Sequence, residues 1–161
     1  MAEVLLFHHA QGLTSGVRAF ADELRSAGHT VHTPDLYAGR CFKSLGEGLD
    51  YAKEIGFGEV FERGVRAATD LPAELVYAGF SLGAMPAQAL AQTRPGACGA
   101  LLFHSAVPVS EFGASWPDGV PVISTSSPTA RWRRTTRTRP GSCGSGCSRF
   151  SMRTDSEPVE L

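Results

Sequence analysis

The segment that most restricts what this chain can become is Gly79-Phe80-Ser81-Leu82-Gly83. It joins a segment over 74–80, apolar after Glu74, to a segment rich in small and apolar residues over 82–92, which reads as a strand passing straight into a helix. Such a junction needs a sharp turn, and the residue at its apex takes up strained backbone geometry. Glycine on either side lets neighbouring backbone come close. The turn raises the Ser81 hydroxyl above a sheet edge, at a helix N-terminus that favours developing negative charge. Ser81 is therefore the candidate nucleophile, and the amide of Leu82 is a candidate oxyanion donor. A five-residue pattern arises by chance, so the weight lies in its strand-before, helix-after context. The plain alternative is a glycine-rich strand–helix turn without chemistry.

The surrounding pattern supplies a sheet for that turn. Val4-Leu5-Leu6-Phe7 is a continuous apolar run that reads as a buried strand, as do 100–103 and 120–123. A further short strand is expected over 30–34. Val17, Phe20, Ala21 and Leu24 lie on one face of a helix over 17–27, with Thr14 or Ser15 as its cap and Gly28 at its end. Leu45, Leu49 and Ala52 mark a second helix, and Val60, Phe61, Val65 and Ala68 a third. Strands alternating with helices imply a doubly wound, mostly parallel α/β sheet. A flavodoxin-like nucleotide binder shares this alternation, but the chain has neither GxGxxG nor a P-loop.

With 161 residues, 42% of them hydrophobic, the chain is long enough for one domain with a real core. A formal net charge of -1 gives no electrostatic reason to expect nucleic acid or membrane as a partner. The first apolar run is too short for a signal peptide and lacks a preceding basic segment, and no stretch reaches the roughly 20 apolar residues of a membrane span. These features lead to the expectation of a cytoplasmic protein. The four cysteines, Cys41, Cys98, Cys143 and Cys147, form no CxxC pair and are expected to be free thiols.

The loop after the first strand, His8-His9-Ala10-Gln11-Gly12, should lie beside Ser81 on the carboxyl edge of the sheet. It offers the amide of Ala10 as a second oxyanion donor. His8 and His9 read as polar loop residues, with orientation or activation of Ser81 as the alternative. His104 ends the strand after the elbow helix and faces the same edge. It reads as a satisfied structural histidine, with a place lining the site as the alternative. Asp35 reads as a loop-shaping residue rather than a catalytic acid.

Three segments, in order, carry a resemblance: 8–13, 28–37 with its Pro34-Asp35-Leu36-Tyr37, and 79–84 with the elbow. Together they resemble the dienelactone hydrolase family over roughly residues 1–123, in its serine-nucleophile branch. The resemblance implies an α/β-hydrolase-type sheet, incomplete at the C-terminus, and a hydrolase of small carboxylic esters or lactones that needs no metal or organic cofactor. Founding members use cysteine as the nucleophile and place an acidic residue in the first loop, near His9. The family also follows its nucleophile with an acid after the penultimate strand and a histidine after the last. Here no histidine follows His104, and Asp155 lies in no matching motif.

The pattern changes near Ser124. Five arginines, Arg131, Arg133, Arg134, Arg137 and Arg139, precede a Gly/Ser/Cys-rich stretch, and lysine is absent after Lys53. Apolar residues there follow neither the helix nor the strand period. Residues 124–161 are thus expected to be a poorly ordered or out-of-frame tail behind a 1–123 core. A nucleic-acid patch is the alternative for the arginines, although no folded motif accompanies them. With no histidine available after the last strand, the competing functional reading is a catalytically incomplete or truncated fold that acts as a binding protein or is inactive.

Overall fold

The computed structural model describes residues 1–125 together with Trp132–Arg133 and Ser151–Met152. Five strands, β1 (Glu3–Phe7), β2 (Thr30–His32), β3 (Val76–Phe80), β4 (Gly99–Phe103) and β5 (Val122–Thr125), form one parallel sheet in the order β2-β1-β3-β4-β5. Four helices connect them: α1 (Ser15–Ser26), α2 (Leu45–Ile55), α3 (Phe57–Arg66) and α4 (Ala84–Thr93). Beyond β5, Trp132–Arg133 and Ser151–Met152 pair as a short antiparallel ribbon. The other residues of the expected tail lie outside the described residues. The core boundary expected at residue 123 falls inside β5, which continues to Thr125.

The sheet is apolar on both faces because helices cover both faces. Alternate residues of one strand enter opposite cores. Leu5, Phe7, Tyr77, Ala100 and Leu102 pack with Ala52 of α2, Val60 of α3 and Ala84, Ala87 and Leu90 of α4. Val4, Leu6, Val76, Ala78, Leu101 and Phe103 pack with Val17, Ala21 and Leu24 of α1. This two-sided burial explains why β1 and β4 are continuous apolar runs rather than alternating ones. Each fully buried Leu, Val or Phe contributes about 1.5–3 kcal/mol.

Local chemistry sets the element boundaries. α1 ends in a Schellman motif: Gly28 at φ 89° donates its N–H to Arg25 O, and His29 N–H to Leu24 O. Thr14 takes the N-cap position of α1 without a side-chain capping bond. Its Oγ1 lies instead 3.4 Å from His9 Nε2. The strand expected over 30–34 stops at His32, before Pro34, which has no N–H to give a ladder. The strand expected from Val120 begins at Val122. Val120 belongs to the preceding turn, where its N–H bonds Pro117 O and its carbonyl accepts from Trp116 Nε1 at 2.6 Å. Among the described residues no helix is long and apolar enough to cross a membrane.

Candidate active site

β3 runs into a 3-10 turn over Ser81–Gly83 and then into α4. Ser81 sits at φ 49°, a left-handed conformation that costs a non-glycine residue about 1–3 kcal/mol. Steric constraint from both sides holds it there. A Cβ on Gly79 would collide with the backbone of Gly83 and Ala84. A Cβ on Gly83 would stand 2.5 Å from His8 O and 2.7 Å from Phe7 Cβ. The elbow therefore lies directly against the end of β1, with Phe7 paired to Gly79 in the ladder. Beneath it, Phe80 stacks on its register partner Phe103 at 4.8 Å, and Phe20 of α1 meets both edge-on. Ser81 is half-buried, and its hydroxyl has no hydrogen-bond partner among the described residues.

His8 is completely buried, and both of its ring nitrogens are committed. The backbone N–H of Leu36 donates to Nε2 at 3.0 Å, so in the neutral ring the proton is on Nδ1, which donates to the His9 carbonyl at 2.7 Å. Burial lowers its pKa below the ordinary 6.5, outweighing the His9 carbonyl and the Asp35 carboxylate, which both act to raise it. Asp35 Oδ1 is 3.8 Å from Nε2, a distance that binds a neutral ring weakly. Asp35 accepts the N–H groups of Tyr37 at 2.9 Å and Gly39 at 2.6 Å, the loop-shaping role expected of it. Tyr37 closes over His8 edge-on at 5.0 Å.

His9 is also engaged. Its Nδ1 accepts the Gln11 N–H at 3.1 Å, which leaves the proton of a neutral ring on Nε2, facing Thr14. Burial lowers this pKa too. Neither imidazole has a lone pair free to take a proton from Ser81. Both pKa values lie below 6.5, so between those values and 6.5 the unfolded chain binds more protons than the folded one. Stability is therefore expected to fall as pH drops below about 6.5. Urea midpoints between pH 7.5 and 5 measure this, and a flat profile would contradict it.

His104 departs from the satisfied structural histidine expected of it. It is exposed, and its ring has no partner among the described residues. The reason is its backbone: His104 leaves β4 at φ 63°, beyond the last buried position, Phe103. Since Phe80 pairs with Phe103, Ser81 and His104 both follow the same rung, on adjacent strands that lie about 4.8 Å apart. Both turn left-handed there.

The Ala10 amide, like the hydroxyl of Ser81, has no hydrogen-bond partner among the described residues. Leu82 follows the nucleophile at the start of a helix, where N–H groups lack intrahelical acceptors. Sequence reasoning missed Gln88. This buried α4 side chain donates to Val107 O at 2.8 Å and accepts from Val107 N–H at 3.0 Å, anchoring the loop after His104. A glutamine inside a helix carries no sequence signal for that role. Cys41 and Cys98 form no disulfide among the described residues, and Cys143 and Cys147 lie outside them. No cluster of three or more His, Cys, Asp or Glu side chains suited to a metal occurs among the described residues.

No protein-family model matches the sequence, and no curated protein does. Solved structures do match in fold. A protein of Klebsiella pneumoniae subsp. pneumoniae MGH 78578, described as a dienelactone hydrolase, is 17% identical at a TM-score of 0.52, over 77% of this chain and 60% of its own. One from Xanthomonas campestris pv. campestris, described as a hydrolase of the alpha/beta superfamily, is 21% identical at a TM-score of 0.50, over 77% and 70%. The structure named m3DLH is 20% identical at a TM-score of 0.51, over 66% and 49%, so this chain spans about half of its length. In strand order, in the position of the elbow and in its structural neighbours, the chain has the α/β-hydrolase fold seen in dienelactone hydrolase-like structures.

Proposed function

We propose that this fold is the nucleophile-bearing unit of a hydrolase that acts on small carboxylic esters or lactones through Ser81. The observation that carries the reading is the left-handed Ser81, wedged between two glycines that cannot accept a side chain, with an unpartnered hydroxyl. Strain of this kind persists where the surrounding packing enforces it, and it concentrates at functional sites. Ser81 Oγ attacks the carbonyl carbon as its hydroxyl proton passes to solvent, and the carbonyl π-electron pair moves onto oxygen. The amides of Leu82 and Ala10 receive that oxyanion. Collapse expels the alkoxide, which takes a proton from solvent, and water then cleaves the acyl-serine to release the carboxylic acid and restore the Ser81 hydroxyl. The scheme requires no metal or organic cofactor.

One observation favours the second reading, a catalytically incomplete unit. A serine hydroxyl needs a positioned base, yet His8 and His9 have both ring nitrogens engaged. Among the described residues only His104 keeps a free imidazole near the elbow, and no hydrogen bond joins it to Ser81.

A fluorophosphonate probe tests the serine: Oγ bonds to phosphorus, the P–F bond breaks, fluoride leaves with the electron pair and the hydroxyl proton passes to solvent. Mass spectrometry is expected to place the adduct on Ser81, and a folded but unlabelled chain would overturn the hydrolase reading. Turnover of nitrophenyl acetate is expected to be slow, orders of magnitude below a complete triad. Rapid turnover that vanishes in His104→Ala would show instead that His104 serves as the base.

A further inference from the structure

The His9–Ala10 peptide is held from one side only. Its carbonyl oxygen accepts two hydrogen bonds, from His8 Nδ1 at 2.7 Å and from the Gly12 N–H at 3.0 Å. In a trans peptide the N–H leaves on the side opposite the carbonyl, and that N–H, on Ala10, has no acceptor among the described residues. Ala10 is 0% exposed. A buried donor without an acceptor costs about 1–3 kcal/mol, so native proteins rarely leave one. The loop that carries it abuts the elbow, because His8 O stands 2.5 Å from where a Cβ on Gly83 would be.

We propose that His8 is the positioning residue of the oxyanion site: by holding the His9 carbonyl through Nδ1–H, it fixes the peptide whose other end presents the Ala10 amide to the oxyanion. The proposal rests on the serine hydrolase reading and adds to it the device that orients one donor. The ring is itself held in place. Leu36 N–H fills Nε2, Arg63 Nη1 bonds the Leu36 carbonyl at 3.0 Å, and Asp35 ties down the residues that follow. The groups facing the imidazole are the Asp35 carboxylate, the His9 ring next in the chain and the Tyr37 ring. With Nε2 filled by a donor, a neutral His8 has one tautomer available, and that tautomer makes the clamp. A buried histidine kept only for packing would not need its Nδ1 proton on a loop carbonyl.

Two substitutions separate the two bonds. In His8→Asn the side-chain amide can donate from near the Nδ1 position and keeps the hold on the His9 carbonyl. In His8→Gln the side-chain carbonyl can accept from Leu36 near the Nε2 position, and the clamp is lost. Each variant gives up one buried hydrogen bond, so both should melt below wild type. Fluorophosphonate labelling of Ser81 is expected to slow about tenfold or more in His8→Gln, and His8→Asn should recover most of that loss. Equal rates in the two variants, or the reverse order, would overturn the proposal. Nitrogen-15 NMR of the wild-type ring decides the matter even if neither variant folds: a protonated Nδ1 is expected, and a protonated Nε2 in the neutral ring would overturn the clamp. Failure of the wild type to label at all would count against the hydrolase reading, while the NMR result would still decide the clamp on its own.

Discussion

Ser81→Gly is expected to abolish fluorophosphonate labelling and ester hydrolysis while leaving the protein at least as stable as before. The two effects have different origins. Labelling disappears because the Ser81 hydroxyl is gone. Stability is retained or raised because φ 49° is free for glycine and strained for serine. Relief of that strain is worth about 1–3 kcal/mol, against about 0.5–1 kcal/mol for the extra chain entropy of glycine when unfolded. A net gain on the order of 1 kcal/mol follows. Ser81→Ala should abolish labelling equally and leave stability unchanged, because alanine keeps the Cβ and its strain. Urea melts read beside probe labelling check all three proteins. A Ser81→Gly variant much less stable than wild type would show that the elbow is not strained. Labelling that survives in Ser81→Ala would remove Ser81 from the chemistry.

Gly83→Ala is expected to have the larger effect on folding. Its Cβ would stand 2.5 Å from His8 O, 2.7 Å from Phe7 Cβ and 2.8 Å from Phe7 O. All three atoms are backbone or Cβ at the end of β1 and the residue after it, so no side-chain rotation relieves the overlap. β1 and the elbow must separate, at a cost of about 3 kcal/mol, a large fraction of a stability of about 5–15 kcal/mol. Ser81 labelling should fall as well, since separation moves Ala10 away from the nucleophile. Gly28→Ala is the control at a remote glycine. A Cβ there meets nothing within 4 Å, and only the φ of 89° opposes it, so its cost should be about 1–2 kcal/mol with labelling unchanged. A Gly83→Ala protein with wild-type stability and labelling would show that the elbow does not pack against β1 as described.

These results would locate chemistry in a strand–turn–helix that is legible from a few residues. The runs at 4–7 and 100–103 announced strands buried on both faces, and the helical face of Val17, Ala21 and Leu24 announced α1. Boundaries were less legible. Val120 looked like the start of a strand because it is apolar and β-branched, but the Trp116 indole and Pro117 claim its backbone for a turn. Thr14 looked like a side-chain cap, yet His9, five residues away, is its neighbour. In each case a partner outside the local window outweighed the local preference.

The sequence alone determined the alternation of strands and helices, the two-sided burial of the central strands and the apex position of Ser81. Each of these follows from hydrophobic period or from the backbone sterics of glycine, which act over a few neighbouring residues. The tertiary structure decided which histidine does what. In sequence, His8, His9 and His104 all sit at strand ends, His8 and His9 reading as polar loop residues and His104 as a satisfied structural histidine. Folding brought Leu36 to one His8 nitrogen and the His9 carbonyl to the other, set Gln11 and Thr14 around His9, and left His104 exposed at a left-handed strand end. The state of an imidazole depends on which donor or acceptor reaches each nitrogen. For His8 one of those groups is 28 residues away in the chain, a separation that no local pattern encodes.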